Sequence, residues 1–267
     1  MKFVHWLAGM ACAVSLAGAV QAEDLQKAIA AETRSPANAA RDVYRHPEET
    51  LTFFQVQPEM TVVEIWPGGG WYSEILAPLM HDKGTYYAAH FDKTAPGYFK
   101  KSRENFEEKI KDKESVYSDV ILTEFIPGGD AEIAPAGSAD AVLTFRNVHN
   151  WMNQDKEAEA FKTFYDTLKP GGVLGVVEHR AKPGTSREDM VKSGYVTQDY
   201  VIGLAEKAGF VLEEASEINA NAKDTANHPK GVWTLPPSLG LGDEDKSKYL
   251  AIGESDRMTL RFRKPKA

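Results

Sequence analysis

Cysteine is nearly missing from this sequence of 267 residues: Cys12 is the only one. It lies in the first 22 residues, so the remainder has no disulfide partner and no thiolate to act as nucleophile or metal ligand. Stability must then come from an apolar core. There is no Gly-x-Ser-x-Gly elbow either, which removes support for a hydrolase working through an acyl intermediate. Positive charge is in deficit, with 31 Lys and Arg against 39 Asp and Glu and a formal net charge of -8. Such a balance repels phosphate backbones and offers no basic membrane-docking face, so no nucleic-acid partner is expected. Internal repeats and low-complexity linkers are also lacking. With 42% hydrophobic and 26% charged residues, the sequence reads as one globular domain over residues 23–267.

Long apolar runs are confined to the start. After Met1-Lys2, residues Phe3 to Ala19 are apolar except for His5 and Ser15, and Val20-Gln21-Ala22 precedes the acidic Glu23-Asp24. A basic start, a short apolar core and small residues before the cut read as a secretory signal peptide over residues 1–22. The run is shorter than the ~20 residues a spanning helix needs, and Gly9-Met10-Ala11 before Cys12 is a poor lipid-attachment pattern. The expected product is exported, periplasmic or secreted, with no stable membrane insertion after cleavage.

Beyond these residues the chain alternates strand and helix. Within a helical preface over about 24–50, Ser35-Pro36 reads as an N-cap with proline at the first helical position, opening a helix through Ala39, Ala40 and Val43 that stops before Pro47. Strands are predicted at 61–66, 85–91, 116–122, 139–145, 173–178, 210–215 and 257–263. Helices are expected from Tyr72, over 97–113, after a cap at Asn153 and after a cap at Thr197. In the last strand Met258, Leu260 and Phe262 alternate with Arg257, Thr259, Arg261 and Arg263, which predicts one wet face. Helices between strands imply a mainly parallel sheet covered on both sides. The connection over about 217–256 shows no helical pattern, and its Trp233-Thr234-Leu235-Pro236-Pro237 stretch suits a packed lid.

In an open parallel sheet, ligands bind beyond the carboxyl ends of the strands. There Glu64 sits in the first strand, and Gly68-Gly69-Gly70 forms a turn whose missing side chains let a ligand approach the backbone. A tight turn without a ligand accounts for three glycines about as well.

Glu64-Ile65-Trp66-Pro67-Gly68-Gly69-Gly70, the Thr85 to Asp92 strand, Ala139-Asp140-Ala141-Val142, Leu168-Lys169-Pro170-Gly171-Gly172 and Ala208-Gly209-Phe210 succeed one another in an order that resembles class I S-adenosylmethionine-dependent methyltransferases. With Glu178-His179-Arg180 and the Asp256 to Pro265 ending, the chain resembles in particular a group of exported, predicted members. The resemblance implies a three-layer α/β Rossmann-like fold, a seven-stranded, mainly parallel sheet, and a last strand inserted antiparallel between its two predecessors. It implies S-adenosylmethionine as cofactor, contacted by Gly68, Gly69 and Gly70, with Glu64 ordering the loop. Trp66 stands where the family has its first glycine. His90 stands where the family has an acidic residue for the ribose hydroxyls, so Asp92 is the expected substitute, and Asp130 is a candidate at the adenine.

Beyond the fourth strand, Arg146-Asn147-Val148-His149-Asn150-Trp151 falls where the family faces cofactor against substrate. Methyl transfer needs alignment and, for an OH or NH acceptor, a base, so His149 with Asn147 is the catalytic candidate. Alternatively both side chains satisfy backbone groups at a strand end. Trp151, Glu178, His179, Arg180, His228 and Trp233 are candidates for binding the acceptor. The spacing of His149, His179 and His228 with Glu178 or Asp224 has no metal-ligand signature, so no metal is expected. The expected activity is methyl transfer to an unidentified small-molecule or envelope acceptor. A non-catalytic periplasmic binding or sensing module on the same fold is the alternative.

Overall fold

β-Branched runs that end in glycine or proline become strands, and the charged, amphipathic stretches between them become helices. The computed structural model describes residues 22–112 and 114–266, so the expected signal peptide lies outside the described residues except for Ala22. The chain opens with α1 (residues 22–29), α2 (Pro36–Ala39), α3 (Asp42–Arg45) and α4 (Pro47–Phe53). β1 (Thr61–Ile65), α5 (Ser73–Met80), β2 (Thr85–His90), α6 (Tyr98–Asp112), α7 (Glu114–Tyr117) and β3 (Val120–Glu124) form the first half of the sheet with its helices. β4 (Ala139–Phe145), α8 (Val148–Met152), α9 (Glu157–Thr167), β5 (Leu168–His179), α10 (Arg187–Ser193), α11 (Gln198–Ala208) and β6 (Val211–Ser216) form the second. A 3-10 turn (Gly231–Thr234) and α12 (Lys246–Ile252) precede β7 (Arg257–Arg263).

The strand order is β3-β2-β1-β4-β5-β7-β6, parallel except for β7, which runs antiparallel between β5 and β6. This is the expected seven-stranded α/β sheet with its inserted last strand. Period-2 alternation sends Val63 and Ile65 of β1 into a core with α8, α9 and α11, and Val62 into the opposite core with α4, α5 and α6. Both faces of the central strands are therefore covered, and β1 and β4 meet at the sheet's centre, where the strand order reverses.

Several local expectations are corrected. Ser35 does cap α2 by accepting the Asn38 N–H, but the preface breaks into short helices. A helix does stop before Pro47, since α3 ends at Arg45 and His46 turns left-handed at φ 42°, but Pro47 then opens a further helix, α4. Asn153 is the C-cap of α8, while α9 begins at Glu157 without a side-chain cap. The segment expected to start the third strand at 116 is helical to Tyr117, and β3 begins at Val120. β5 starts early, at Leu168, because Gly171 N–H donates to Lys264 O (2.8 Å) and Lys264 N–H donates to Gly172 O (3.0 Å). The long connection contains a helix, α12. The arginine face of β7 is not wet: Arg257, Thr259 and Arg261 are all buried. β7 lies inside the sheet, and the preface covers that face, with the Arg261 guanidinium 4.8 Å from the Phe53 ring.

Candidate active site

A cavity of about 560 Å³ opens at the carboxyl ends of β1 and β4, within the range typical of small-molecule sites. Its wall is formed by the loop after β1, the start of the segment after β4, the preface helices and the long connection. The β1 loop is held in unusual backbone conformations. Trp66 takes φ 48°, while Gly68 and Gly70 take φ 59° and 76°. A non-glycine residue in the left-handed region carries strain. Here the side chain compensates: the Trp66 indole N–H donates to Phe125 O (2.9 Å), and its ring packs 4.8 Å from Phe91 and 5.8 Å from both Phe125 and Trp151. A Cβ added at Gly68 or Gly69 would meet no atom within 4 Å, so this stretch presents bare backbone. At Gly70 an added Cβ would press on Phe106, which places that glycine against the core rather than the cavity.

Two buried polar groups fix this loop from below. Glu64 Oε2 accepts from Tyr86 OH (2.5 Å) and Ser73 Oγ (2.8 Å), tying β1 to α5 and β2. Burial pushes its carboxyl up to about 7, although both donors pull the other way. His90 Nδ1 accepts the Phe91 N–H (2.8 Å), so its Nε2 carries the proton and donates to Gly68 O at 3.0 Å. Burial lowers the His90 pKa to about 4, which keeps the ring neutral in that role.

After β4 the chain turns at Arg146, again at a positive φ of 63°. The Asn147 amide N–H groups donate to Ile65 O (2.9 Å) and Thr144 Oγ1 (3.3 Å), pinning the end of β4 to the end of β1. His149, in the first turn of α8, is buried and lines the cavity. Its Nδ1 lies 3.1 Å from Glu178 Oε1. Glu178 is fully buried and also accepts the N–H groups of Val148 (2.6 Å) and His179 (2.8 Å). With Nδ1–H held by this carboxylate, His149 Nε2 is left as an acceptor, the tautomer a general base needs. Trp233 from the 3-10 turn sits edge-on to the His149 ring, with centroids 5.9 Å apart.

The other sequence candidates divide by position. Glu64, Gly68, Gly69, Asn147, His149, His179 and Trp233 line the one cavity, and Glu178 supports it from beneath. Trp151 does not line it: it is wholly buried among Trp66, Phe125, Phe161 and Phe164, so it packs the core instead of stacking on a ligand. Asp92 spends its carboxylate on Thr94 N–H (2.7 Å) and Thr94 Oγ1 (2.8 Å), an Asx turn outside the lining. Asp130 is exposed in a turn away from the cavity. Arg180 is held by Asp256 and Glu217, and His228 lines a separate cavity with its Nε2 2.8 Å from Asp224 Oδ1. His149, Glu178 and His179 each bring a ligand-type atom within 4.8 Å of the others, a convergence their sequence spacing did not suggest. His179 Nδ1 already faces Ser255 Oγ at 2.5 Å. Burial, His149 and then Arg257, Arg146 and Arg45 hold the His179 pKa well below its ordinary value, so the ring stays neutral.

Four arginines line the same cavity, Arg41, Arg45, Arg146 and Arg257, and of these only Arg146 stands in a segment the sequence singled out for the site. They converge on Glu254. Arg41 Nε donates to Oε1 (2.6 Å), Arg45 Nε to Oε2 (3.3 Å), Arg257 Nη2 also to Oε2, and Arg146 Nη1 lies 3.9 Å from Oε2. Burial alone would raise the Glu254 pKa, but the arginines, Arg257 foremost, hold it well below the carboxylate range. The i, i+4 spacing of Arg41 and Arg45 is the one local hint. Their convergence on a residue more than 200 positions away leaves no trace in any short stretch of sequence.

No protein-family model matches the sequence, and no curated protein matches it. Among solved structures, the chain is similar to a SAM-dependent methyltransferase from Aquifex aeolicus. That match has TM-score 0.57 and 15% identity, over 91% of this chain and 98% of that one. It is also similar to the cyclase SpnF, at TM-score 0.57 and 14% identity over 94% and 96%. A third match is the CurJ carbon methyltransferase, at TM-score 0.51 and 13% identity over 91% of this chain and 59% of that one. At such identities the likeness establishes architecture. The chain has the three-layer Rossmann-like fold found in class I methyltransferases.

Proposed function

We propose that this protein is an S-adenosylmethionine-dependent methyltransferase with His149 as general base, acting on a small-molecule or envelope acceptor after export. The observation that carries this reading is that a bare glycine turn and a carboxylate-held histidine line one cavity at the ends of β1 and β4. The adenosyl cofactor supplies a methyl group made electrophilic by a sulfonium. Gly68 and Gly69 fit it by leaving the loop surface free for close approach. The ribose end differs from the expected family pattern, because His90 is turned onto Gly68 O and Asp92 is committed to its own turn.

The protein's own share of the reaction is alignment and proton removal. Asn147 fixes the relative position of the two strand ends, so it is a positioning residue. Glu178 orients His149, whose Nε2 would take the proton from an acceptor OH or NH. Trp233 and Pro236-Pro237 of the long connection form part of the cavity wall beside His149. Export rests on the pattern of residues 1–22. Among the described residues no helix is long and apolar enough to cross a membrane.

Titration of residues 23–267 with S-adenosylmethionine and S-adenosylhomocysteine tests the cofactor, and binding of neither rejects the reading. Once an acceptor is in hand, His149→Ala is expected to lower turnover by about 100-fold or more while cofactor affinity is kept. Unchanged turnover removes His149 from the chemistry. Amino-terminal sequencing of the exported protein is expected to begin at Glu23.

A further inference from the structure

The arginine wall of the cavity carries more positive charge than the protein neutralises. Four guanidinium groups, on Arg41, Arg45, Arg146 and Arg257, share the single carboxylate of Glu254. Nearby carboxylates are engaged elsewhere, Asp42 with Arg34 and Glu74 with Lys109. Glu64, the one carboxyl on the lining itself, has its pKa raised to about 7 by burial, so near neutral pH it offers only part of a negative charge. Two donors in the cluster, Arg41 Nη2 and Arg45 Nη1, are buried with no acceptor among the described residues, and the Arg45 side chain is only 4% exposed. Buried guanidinium N–H groups without acceptors are costly and call for a partner. The strain of the wall agrees: Arg146 holds a left-handed backbone, and burial together with Arg257 pushes its pKa down to about 10.

We infer that this cluster is an anion-binding subsite and that the acceptor places a carboxylate or phosphate group in it. The inference rests on the methyltransferase reading for the word acceptor, but the subsite itself rests only on the arginines. A forked guanidinium is the side chain best matched to planar or tetrahedral oxyanions. The cofactor's own carboxylate is the competing source. It is the weaker match, because adenosylmethionine also carries a sulfonium and an ammonium and so brings net positive charge to a wall already in excess. An anionic acceptor supplies the missing charge, and it does so next to His149, which lines the same cavity.

Calorimetric titration of the full folded chain with inorganic phosphate and with citrate, at ionic strength held constant with chloride, tests this. The titrations are run alone and then with saturating S-adenosylhomocysteine. At least one anion should bind in both conditions, about tenfold or more weakly in Arg41→Gln, with partial recovery in Arg41→Lys. If circular dichroism shows Arg41→Gln unfolded, Arg146→Gln carries the same comparison. Failure of the wild-type protein to bind either anion overturns the inference. So does an anion that competes with S-adenosylhomocysteine but not with methylthioadenosine, which lacks the amino-acid carboxylate, since the arginines would then belong to the cofactor. Anion binding by a protein that takes no adenosyl compound would keep the subsite and reject the methyltransferase reading, so the two fail separately.

Discussion

The loop after β1 and the turn after β4 leave neighbouring strands at the same edge of the sheet, and each passes through a left-handed non-glycine residue, Trp66 and Arg146. They hold that strain by different means. Trp66 is fixed by neutral contacts, an indole hydrogen bond and a cluster of aromatic rings. Arg146 is fixed beside a buried ionic cluster whose charge does not balance. One bank of the cavity is therefore complete without a ligand, and the other is not. This contrast assigns shape to the β1 side and charge recognition to the β4 side.

The most severe way to break the contrast is Glu254→Gln, which removes the only carboxylate the four arginines share. Loss of one partner from a buried ionic cluster typically costs about 3–5 kcal/mol, read as a lowered urea midpoint. A loss below about 1 kcal/mol would mean that the arginines are hydrated and that the charged bank is not strained. A smaller effect is expected from Glu64, the one carboxyl on the neutral bank. Its folded pKa of about 7 lies above the ordinary carboxyl value of 4.5. The proton is thus held more tightly in the fold, and the associated stability is present below about pH 4.5 and lost as pH rises through about 7. Relative to Glu64→Gln, the wild type should lose up to ~3 kcal/mol across that window. A difference between the two proteins that does not vary with pH would show that Glu64 is ionised throughout. The smallest effect sharpens the comparison at Trp66. Both truncations lose the ring, but Trp66→Gly also relieves the backbone, so it should be about 1 kcal/mol more stable than Trp66→Ala. The reverse order would mean that the left-handed turn carries no strain.

The sheet was legible because its signals are local. β4 and β7 match their predicted spans residue for residue, and the insertion of β7 came from the resemblance. The glycine turn and His149 were legible for the same reason, since each lies within a few residues of a strand end. What escaped was set by packing between distant segments. Trp151, next to the catalytic candidate in sequence, points into the core because α8 turns its other face to the cavity. Arg257 and Arg261 looked solvent-facing by alternation and are buried because the preface helices cover β7. The ionic cluster joins residues 41, 45, 146, 254 and 257, and no short window of sequence contains it.

The central claim is that the bare glycine turn is one wall of an adenosyl-binding cavity. Gly69 tests it most directly, because its backbone lies outside the left-handed region and an added Cβ meets nothing within 4 Å, so Gly69→Leu should fold normally. Calorimetry with S-adenosylhomocysteine should show one site per chain in the wild type and affinity reduced by at least about tenfold in Gly69→Leu, the effect of obstructing one close contact surface. Equal affinity in both proteins would place the ligand elsewhere and contradict the claim.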